Sequence, residues 1–202
     1  MLRRILFLIV CESVLALLFI SPALSAVKQD TKEIEIRPPD YVNKEYGFGL
    51  ALPEGFITFD YKDAKTNIIE ILGQPDDPKA TISIEPLPKD VTDVAGFWQF
   101  LKDRDSLMAS GISYEMVTSV ADTGAILARI EKIENEEYIL AITWVFVHDG
   151  FGFTLSGYPP PGGKFNRARE LGYEIKSQFR WMTADEIEKY ESEKDAENSS
   201  GD

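Results

Sequence analysis

The sequence predicts an α+β fold in which a central antiparallel sheet is covered by two main amphipathic helices. Over several short stretches apolar residues alternate with polar ones, and Gly, Pro and Asp separate these stretches, which is the pattern of antiparallel strands. Two longer stretches place apolar residues three and four positions apart, which is typical of helices with one buried face. The chain has 202 residues, of which 44% are hydrophobic and 27% charged, the composition of an ordinary folded domain.

Residues 1–26 are predicted to be a secretory signal peptide. Two arginines precede an apolar run, Ile5–Ile20, and the small residues Ala23 and Ser25 follow it, an order typical of secretory signals. The alternative is an uncleaved anchor that holds the protein at a membrane, although the run is shorter than the roughly 20 residues of a spanning helix. We therefore expect an exported protein, located in the periplasm or outside the cell after cleavage.

Composition and charge exclude several function classes. Cys11 is the only cysteine and follows Val10 inside the apolar run, so we expect no lipid attachment. After signal removal no cysteine remains for a disulfide, a thiolate nucleophile or a zinc site. Lys and Arg number 21 against 34 Asp and Glu, a net charge of −13, which repels a phosphate backbone. A nucleic-acid partner is therefore not expected.

The rest of the chain is predicted to contain one domain with a short segment on each side. Residues 27–45 should form a lead-in arm or an edge strand, because Ile34 and Ile36 alternate with glutamates before two prolines interrupt the pattern. The domain itself is expected at residues 46–182. Residues 183–202 carry eight acids against two lysines, which predicts a solvated helix or a disordered tail.

Two β-hairpins are predicted to open the domain. In the first, Phe48–Leu52 pairs with Ile57–Tyr61 around a Pro-Glu-Gly turn; in the second, Ile68–Leu72 pairs with Ala80–Glu85 around a turn rich in Pro and Asp.

A helix, a four-stranded meander and a second helix are predicted to follow. The first helix covers Asp90–Ala109, with Asp90 or Thr92 as N-cap. The second helix has a buried face that runs from Phe165 to Phe179. The strands between the helices should form an antiparallel meander because the turns that connect them are short. These strands are Ser113–Val120, Ala125–Ile133, Tyr138–Val147 and Phe151–Tyr158.

The pairing of the last two strands of the meander can be predicted residue by residue. A two-residue loop at Asp149-Gly150 places His148 opposite Phe151 and, further along, Trp144 opposite Leu155. One face of this pair is then a slab of large apolar side chains, which both helices are expected to cover. The opposite face carries smaller and more polar side chains, and it is expected to be partly wet or to form a shallow groove. The slab comprises Trp144, Phe146, Phe151, Phe153 and Leu155.

Several of these features resemble PsbP-like proteins. The resemblance rests on the opening segment Tyr46–Phe56 (YGFGLALPEGF), on the order of two hairpins, helix, meander and helix, and on the final Ser177–Trp181. It spans roughly residues 46–181 and implies an α/β/α sandwich around a central antiparallel sheet. It also implies a non-enzymatic role in assembling or stabilising larger complexes. It implies no ligand-binding residue in this chain.

No catalytic residue is predicted. His148 is the only histidine, and Asp149 with Ser156 would complete a triad. Ser156, however, is expected opposite Thr143, which places it about 16 Å along the ribbon from His148 at about 3.3 Å per residue, too far for a nucleophile and its base.

No cofactor or metal is predicted either. Gly157–Lys164 is similar to a phosphate-binding loop, but its three prolines lack the N–H groups that hold phosphate. The acidic clusters lack the spacing of a calcium loop. These clusters are Asp76-Asp77, Asp103/Asp105 and Glu134/Glu136/Glu137.

The candidate binding residues are Tyr158, Pro159, Pro160 and Pro161, which are predicted to form a stiff, exposed, extended segment that presents apolar surface to a partner. The alternative is a rigid connector between strand and helix. We therefore predict an exported, non-enzymatic binding or assembly module that contacts a protein of the cell envelope.

Two other function classes stay open at this point. One is a periplasmic hydrolase that depends on carboxylates, which requires two acids in one concave pocket. The other is a carrier of a small apolar ligand between helix and sheet, which requires a dry pocket lined by Trp98 and Phe100 or by Trp144.

Overall fold

The computed structural model describes residues 37–105, 110–134, 137–160 and 162–199. Within these ranges the chain forms ten strands, arranged in two antiparallel sheets, and three helices, which confirms the predicted α+β class. The predicted signal peptide and Ile34 and Ile36 of the lead-in lie outside the described residues. The strands are β1 Tyr41–Asn43, β2 Phe48–Leu50, β3 Ile57–Asp63, β4 Thr66–Leu72, β5 Lys79–Pro86, β6 Ile112–Val120, β7 Thr123–Glu134, β8 Glu137–His148, β9 Phe151–Tyr158 and β10 Phe179–Trp181, and the helices are α1 Val94–Arg104, α2 Phe165–Gln178 and α3 Ala184–Ser199.

The large sheet has the strand order β3-β4-β5-β9-β8-β7-β6. The predicted second hairpin, β4 with β5, and the predicted meander from β6 to β9 are both confirmed. The predicted register is confirmed as well, with Trp144 opposite Leu155. Asp149 and Gly150 have φ values of 46° and 81°, as a two-residue hairpin loop requires.

The predicted first hairpin is wrong. A turn does follow Pro53, since the Phe56 N–H donates to its carbonyl over 3.1 Å, but the strands on its two sides enter different sheets. β2 lies between β1 and β10 in a small sheet, whereas β3 pairs with β4. The physical reason is burial: every residue of β2 is buried, so this strand needs cover on both faces, which an exposed hairpin does not provide.

The large sheet has a first face that carries the slab, with Trp144 and Phe146 both 0% exposed. The prediction that both helices cover this slab is wrong. Helix α2 and the small sheet cover it, while α1 packs on the opposite, second face. The connections explain this difference, because α1 links β5 to the far edge strand β6, whereas α2 links β9 to β10 of the small sheet. The resulting layers are α1, the large sheet, and α2 with the small sheet.

The second face is buried beneath α1 around Val145, and away from this helix it is open to solvent. Phe97, Trp98 and Leu101 of α1 pack with Val145 and its neighbours in one apolar cluster. The N-cap of α1 is Asp93, not Asp90 or Thr92, because its carboxylate accepts the Gly96 N–H over 2.7 Å. On β3, beyond the strands that α1 contacts, apolar side chains of this face remain exposed.

Within residues 183–202, α3 forms an acidic and mostly exposed helix. Thr183 and Glu186 cap its start reciprocally, and the bonds from Thr183 lower the pKa of Glu186. The Tyr190 hydroxyl donates to the Asp40 carbonyl over 3.1 Å. No helix in the described ranges is both long enough and apolar enough to cross a membrane.

Candidate functional site

The described candidate binding residues line a surface groove of about 1170 Å³. One wall is the turn between β4 and β5, Gly73–Pro78, and the other is the segment Tyr158–Gly163 that follows β9. Leu72, Thr81 and Leu140 also line the groove. Since Thr81 pairs with Ser156 in the register of β5 and β9, the groove at Thr81 and Tyr158 opens on the second face of the sheet.

The wall at Gly73–Pro78 is held by Asp77. Its carboxylate accepts the Gln74 N–H over 2.9 Å, and its own N–H donates to the Gln74 carbonyl over 2.9 Å. Arg167 of α2 donates to the Asp77 carboxylate over 2.8 Å and to the Asp76 carbonyl over 3.2 Å. The turn is therefore fastened both to itself and to a helix from a distant part of the chain.

We expect Arg167→Met to loosen this wall without unfolding the protein. Amide hydrogen exchange of residues 73–78 should become faster, because the turn loses its tie to α2. The free energy of unfolding should fall by at most about 1 kcal/mol, since the arginine side chain is 54% exposed and exposed ion pairs contribute little. The control is Arg169→Met, at an exposed position on the same helix, which should leave exchange in the turn unchanged. Equal exchange rates in the two variants would contradict the role of Arg167 in holding the turn.

The wall at Tyr158–Gly163 starts with Tyr158, the last residue of the extended strand β9, and ends in a turn that joins Pro160 to Gly163. The Gly163 N–H donates to the Pro160 carbonyl over 2.7 Å, and Gly162 has a φ of 68°, a backbone conformation that favours glycine in such turns. Tyr158, Pro159 and Pro160 are half-buried instead of fully exposed. A Pro residue before a tight turn restricts the chain, so this wall is also stiff. Pro161 lies outside the described residues.

The groove lining is mainly apolar, with one ammonium group at hand. Leu72, Pro75 and Tyr158 contribute apolar surface. Asp77 is already engaged by Arg167, whereas Lys79 is exposed and its ammonium lies 5.6 Å from the centre of the Tyr158 ring. This arrangement suits an apolar segment that also carries a carboxylate.

Of the residues considered for a catalytic triad, His148 and Asp149 lie close together, with the imidazole Nε2 3.4 Å from the carboxylate, whereas Ser156 lies five register positions along the strand pair from His148. The His148 ring stacks on Trp181 with centroids 3.7 Å apart. Ser156 is buried and shares a hydrogen bond of 2.9 Å with Thr143, its partner across the strands. Each of these polar groups therefore has a structural partner.

Two acids, Glu45 and Asp60, are among the residues that line a smaller groove of about 410 Å³. Asp60 accepts the Tyr41 hydroxyl over 2.6 Å. Burial, and then the bond to Asp60, raises the pKa of Tyr41, so its hydroxyl keeps its proton and acts as a structural donor. In the described part of the chain no three His, Cys, Asp or Glu side chains gather as a metal site.

Two side chains of the predicted acidic clusters, Asp77 and Asp103, have structural partners. Asp77 is bound by Arg167, and Asp103 accepts the Gln99 amide over 2.7 Å. The side chains of Glu134, Glu136 and Glu137 lie outside the described residues.

The space that a small apolar ligand would need between helix and sheet is filled. A methyl group on Gly172 of α2 would lie 2.7 Å from the Trp144 ring. Trp98 is 2% exposed, and its indole N–H donates to Glu115 over 2.9 Å. Phe100 stacks beside Phe97. The packing at these residues therefore contradicts the carrier interpretation.

With this geometry the chain is an α/β/α sandwich of the PsbP-like type. It is similar to the solution structure of cyanobacterial PsbP (CyanoP) from Synechocystis sp. PCC 6803, with a TM-score of 0.52 and 14% identity over 70% of this chain and 90% of that chain. A crystal structure from Bacteroides thetaiotaomicron VPI-5482 gives a TM-score of 0.45 and 16% identity over 72% of this chain and 49% of that chain. No family model and no curated protein matches the sequence. At these identities the similarity to PsbP establishes the fold.

Proposed function

We propose that the protein is an exported, non-enzymatic binding or assembly module that holds a segment of a cell-envelope protein in the groove between Gly73–Pro78 and Tyr158–Gly163. The single observation that carries this proposal is the groove itself, with its two stiff walls and apolar lining. The signal-like order of the first residues supports export. The fold does not decide the function, because one fold can serve many functions.

The size of the groove favours a polypeptide segment over a small molecule. Its volume of about 1170 Å³ exceeds that of typical small-molecule pockets, which is roughly 300 to 1,000 Å³. Since both walls are held by hydrogen bonds before a partner arrives, binding orders few side chains. We expect the bound segment to place apolar side chains against Tyr158 and Pro75 and a carboxylate near Lys79.

Photo-crosslinking in intact cells tests this function. A benzophenone side chain at Gln74, which is exposed on the groove wall, should form an adduct with one envelope protein. Tyr158→Ala in the same background should reduce the adduct at least about tenfold, a loss that corresponds to about 1.4 kcal/mol of binding free energy.

The matched control is a benzophenone at Glu188, which is exposed on α3 and should give no such adduct. Lys79→Glu should also weaken the adduct if the partner supplies a carboxylate. Thermal unfolding would show whether Tyr158→Ala is folded. If the folded variant forms the adduct as well as the wild type does, the groove is not the binding site.

A further inference from the structure

Strand β3 is an edge strand of the large sheet. It is the outermost strand, and among the described residues its backbone pairs only with β4. That pairing runs from Ile57 to Asp63 without a shift in register. A regular, unpaired edge of this kind is a template for another strand. Asp60 and Lys62 of β3 lie on the face opposite to Phe59, so these charges do not interrupt its apolar face.

The exposed face of β3 carries a continuous apolar stripe. Ile57, Phe59 and Tyr61 alternate along the strand, lie on the second face and are 55%, 52% and 46% exposed. In the other edge strand, β6, the register shifts between Ile112 and Tyr114, and a bulge of this kind bends that end of the strand. Val117 of β6 is 82% exposed.

We propose that β3 pairs with β3 of a second copy of this chain, antiparallel and about a twofold axis at Phe59. This register places Phe59 opposite its own equivalent and Ile57 opposite Tyr61 of the second copy. On the other face, Thr58 stands opposite Asp60 of the second copy. Apolar side chains therefore meet only apolar side chains, which is the pairing that stabilises neighbouring strands.

The charges on β3 select this register over its neighbours. An axis at Asp60 would place the two copies of this carboxylate directly opposite each other, which is unfavourable. An axis at Tyr61 would pair Asp60 with Lys62 but would set Phe59 opposite Asp63. Exposed ion pairs contribute little, so the register that joins the apolar stripes is preferred. A second copy fits because the stripe is complementary to itself, as a twofold interface requires.

The twofold arrangement would also place both grooves on one side of the joined sheet. An axis normal to the sheet keeps the second faces of the two copies on the same side, and Ile57 pairs with Leu72 at the rim of the groove. The pairing goes beyond the proposed function and does not depend on it, because it uses the backbone edge of β3 rather than the groove.

Sedimentation of the full-length product purified from a bacterial host tests the pairing. The wild-type protein should sediment with the mass of two chains at micromolar concentration, and Phe59→Lys with the mass of one. Val117→Lys adds the same charge to the other edge strand and should remain a dimer. A wild-type monomer at all concentrations, or an equal loss of dimer in both variants, would overturn the proposal.

Salt should strengthen the dimer. Each copy carries a formal charge of −13, so the copies repel each other at a distance, and this repulsion is screened as the Debye length falls from about 30 Å at 0.01 M salt to about 8 Å at 0.15 M. The dimer fraction should therefore rise over this range of salt. A dimer that dissociates as salt is added would contradict an apolar interface.

Disulfide trapping tests the register while leaving Phe59 in place. In a Cys11→Ser background, Thr58→Cys mixed with Asp60→Cys should form a crosslinked pair, because residues directly opposite in antiparallel strands approach within disulfide distance. Each variant alone should stay uncrosslinked. Crosslinking of Asp60→Cys with itself, or with Lys62→Cys, would place the axis elsewhere and overturn the proposed pairing. None of these outcomes depends on whether a partner enters the groove.

Discussion

Replacement of Phe48 by alanine is expected to lower the free energy of unfolding by about 3 to 5 kcal/mol, the usual cost of removing a fully buried aromatic ring. Phe48 is 0% exposed and stacks on Phe179 with centroids 4.8 Å apart. It also meets Phe153 edge to face at 6.2 Å and Trp181 at 6.5 Å. Its ring therefore joins the small sheet to the first face of the large sheet. Chemical denaturation followed by circular dichroism would measure the loss.

The matched control is Phe59→Ala, which removes the same ring from a position that is 52% exposed. In protein dilute enough to be monomeric, this change should cost less than about 1 kcal/mol, because surface substitutions have small effects. Similar losses for the two variants would mean that the ring of Phe48 does not join the two sheets in the way described here.

The small sheet is also where prediction from the sequence fails, and the reason is physical. Its outer strands span only Tyr41–Asn43 and Phe179–Trp181, too short for a periodic pattern to stand out. They come from opposite ends of the domain, so no local turn indicates their pairing. One signal was present at Gly49, where a side-chain carbon would lie 2.6 Å from the Met182 sulfur. A glycine inside an apolar strand marks such a close approach.

The meander was predictable because its information is local. Two-residue turns such as Asp149-Gly150 determine both the pairing and the register, and alternation then assigns each side chain to a face. The two helices are different. The apolar residues of each helix lie on one side, which shows that this side is buried. The face of the sheet that each helix covers depends instead on the positions of β5 and β9 in the strand order.

The candidate site was half predictable for a similar reason. Tyr158, Pro159 and Pro160 stand out by composition, whereas the opposite wall does not. That wall is fixed by the bond from Arg167 to Asp77, which joins residues 90 positions apart. The turn at Gly73–Pro78 could be predicted from its prolines and aspartates. Its position beside Tyr158 could not be predicted, because a contact between residues so far apart in the sequence produces no local pattern.

Replacement of Gly157 by alanine is expected to lower the free energy of unfolding by about 1 to 3 kcal/mol, the typical cost of forcing an extra carbon into a packed interior. The added carbon would lie 2.7 Å from the Ala168 carbonyl oxygen and 3.3 Å from a methyl carbon of Ile142. The first neighbour is backbone of α2, which cannot rotate away as a side chain can. The helix must therefore move off β9, next to Tyr158 and the groove. Denaturation measures the energy, and exchange of the Tyr158, Gly162 and Gly163 amides measures the local effect, since the prolines between them have no N–H.

Gly124→Ala provides the comparison, because no atom lies within 4 Å of the added carbon at that strand position. It should be neutral or slightly stabilising, since glycine within a strand is less favourable than alanine by about 0.5 to 1 kcal/mol. The two variants add the same methyl group to strands of one sheet, and only at Gly157 does the added carbon meet α2, so their difference reports on the contact between β9 and α2. Equal stability, with unchanged exchange after Tyr158, would mean that α2 does not hold the groove wall in place.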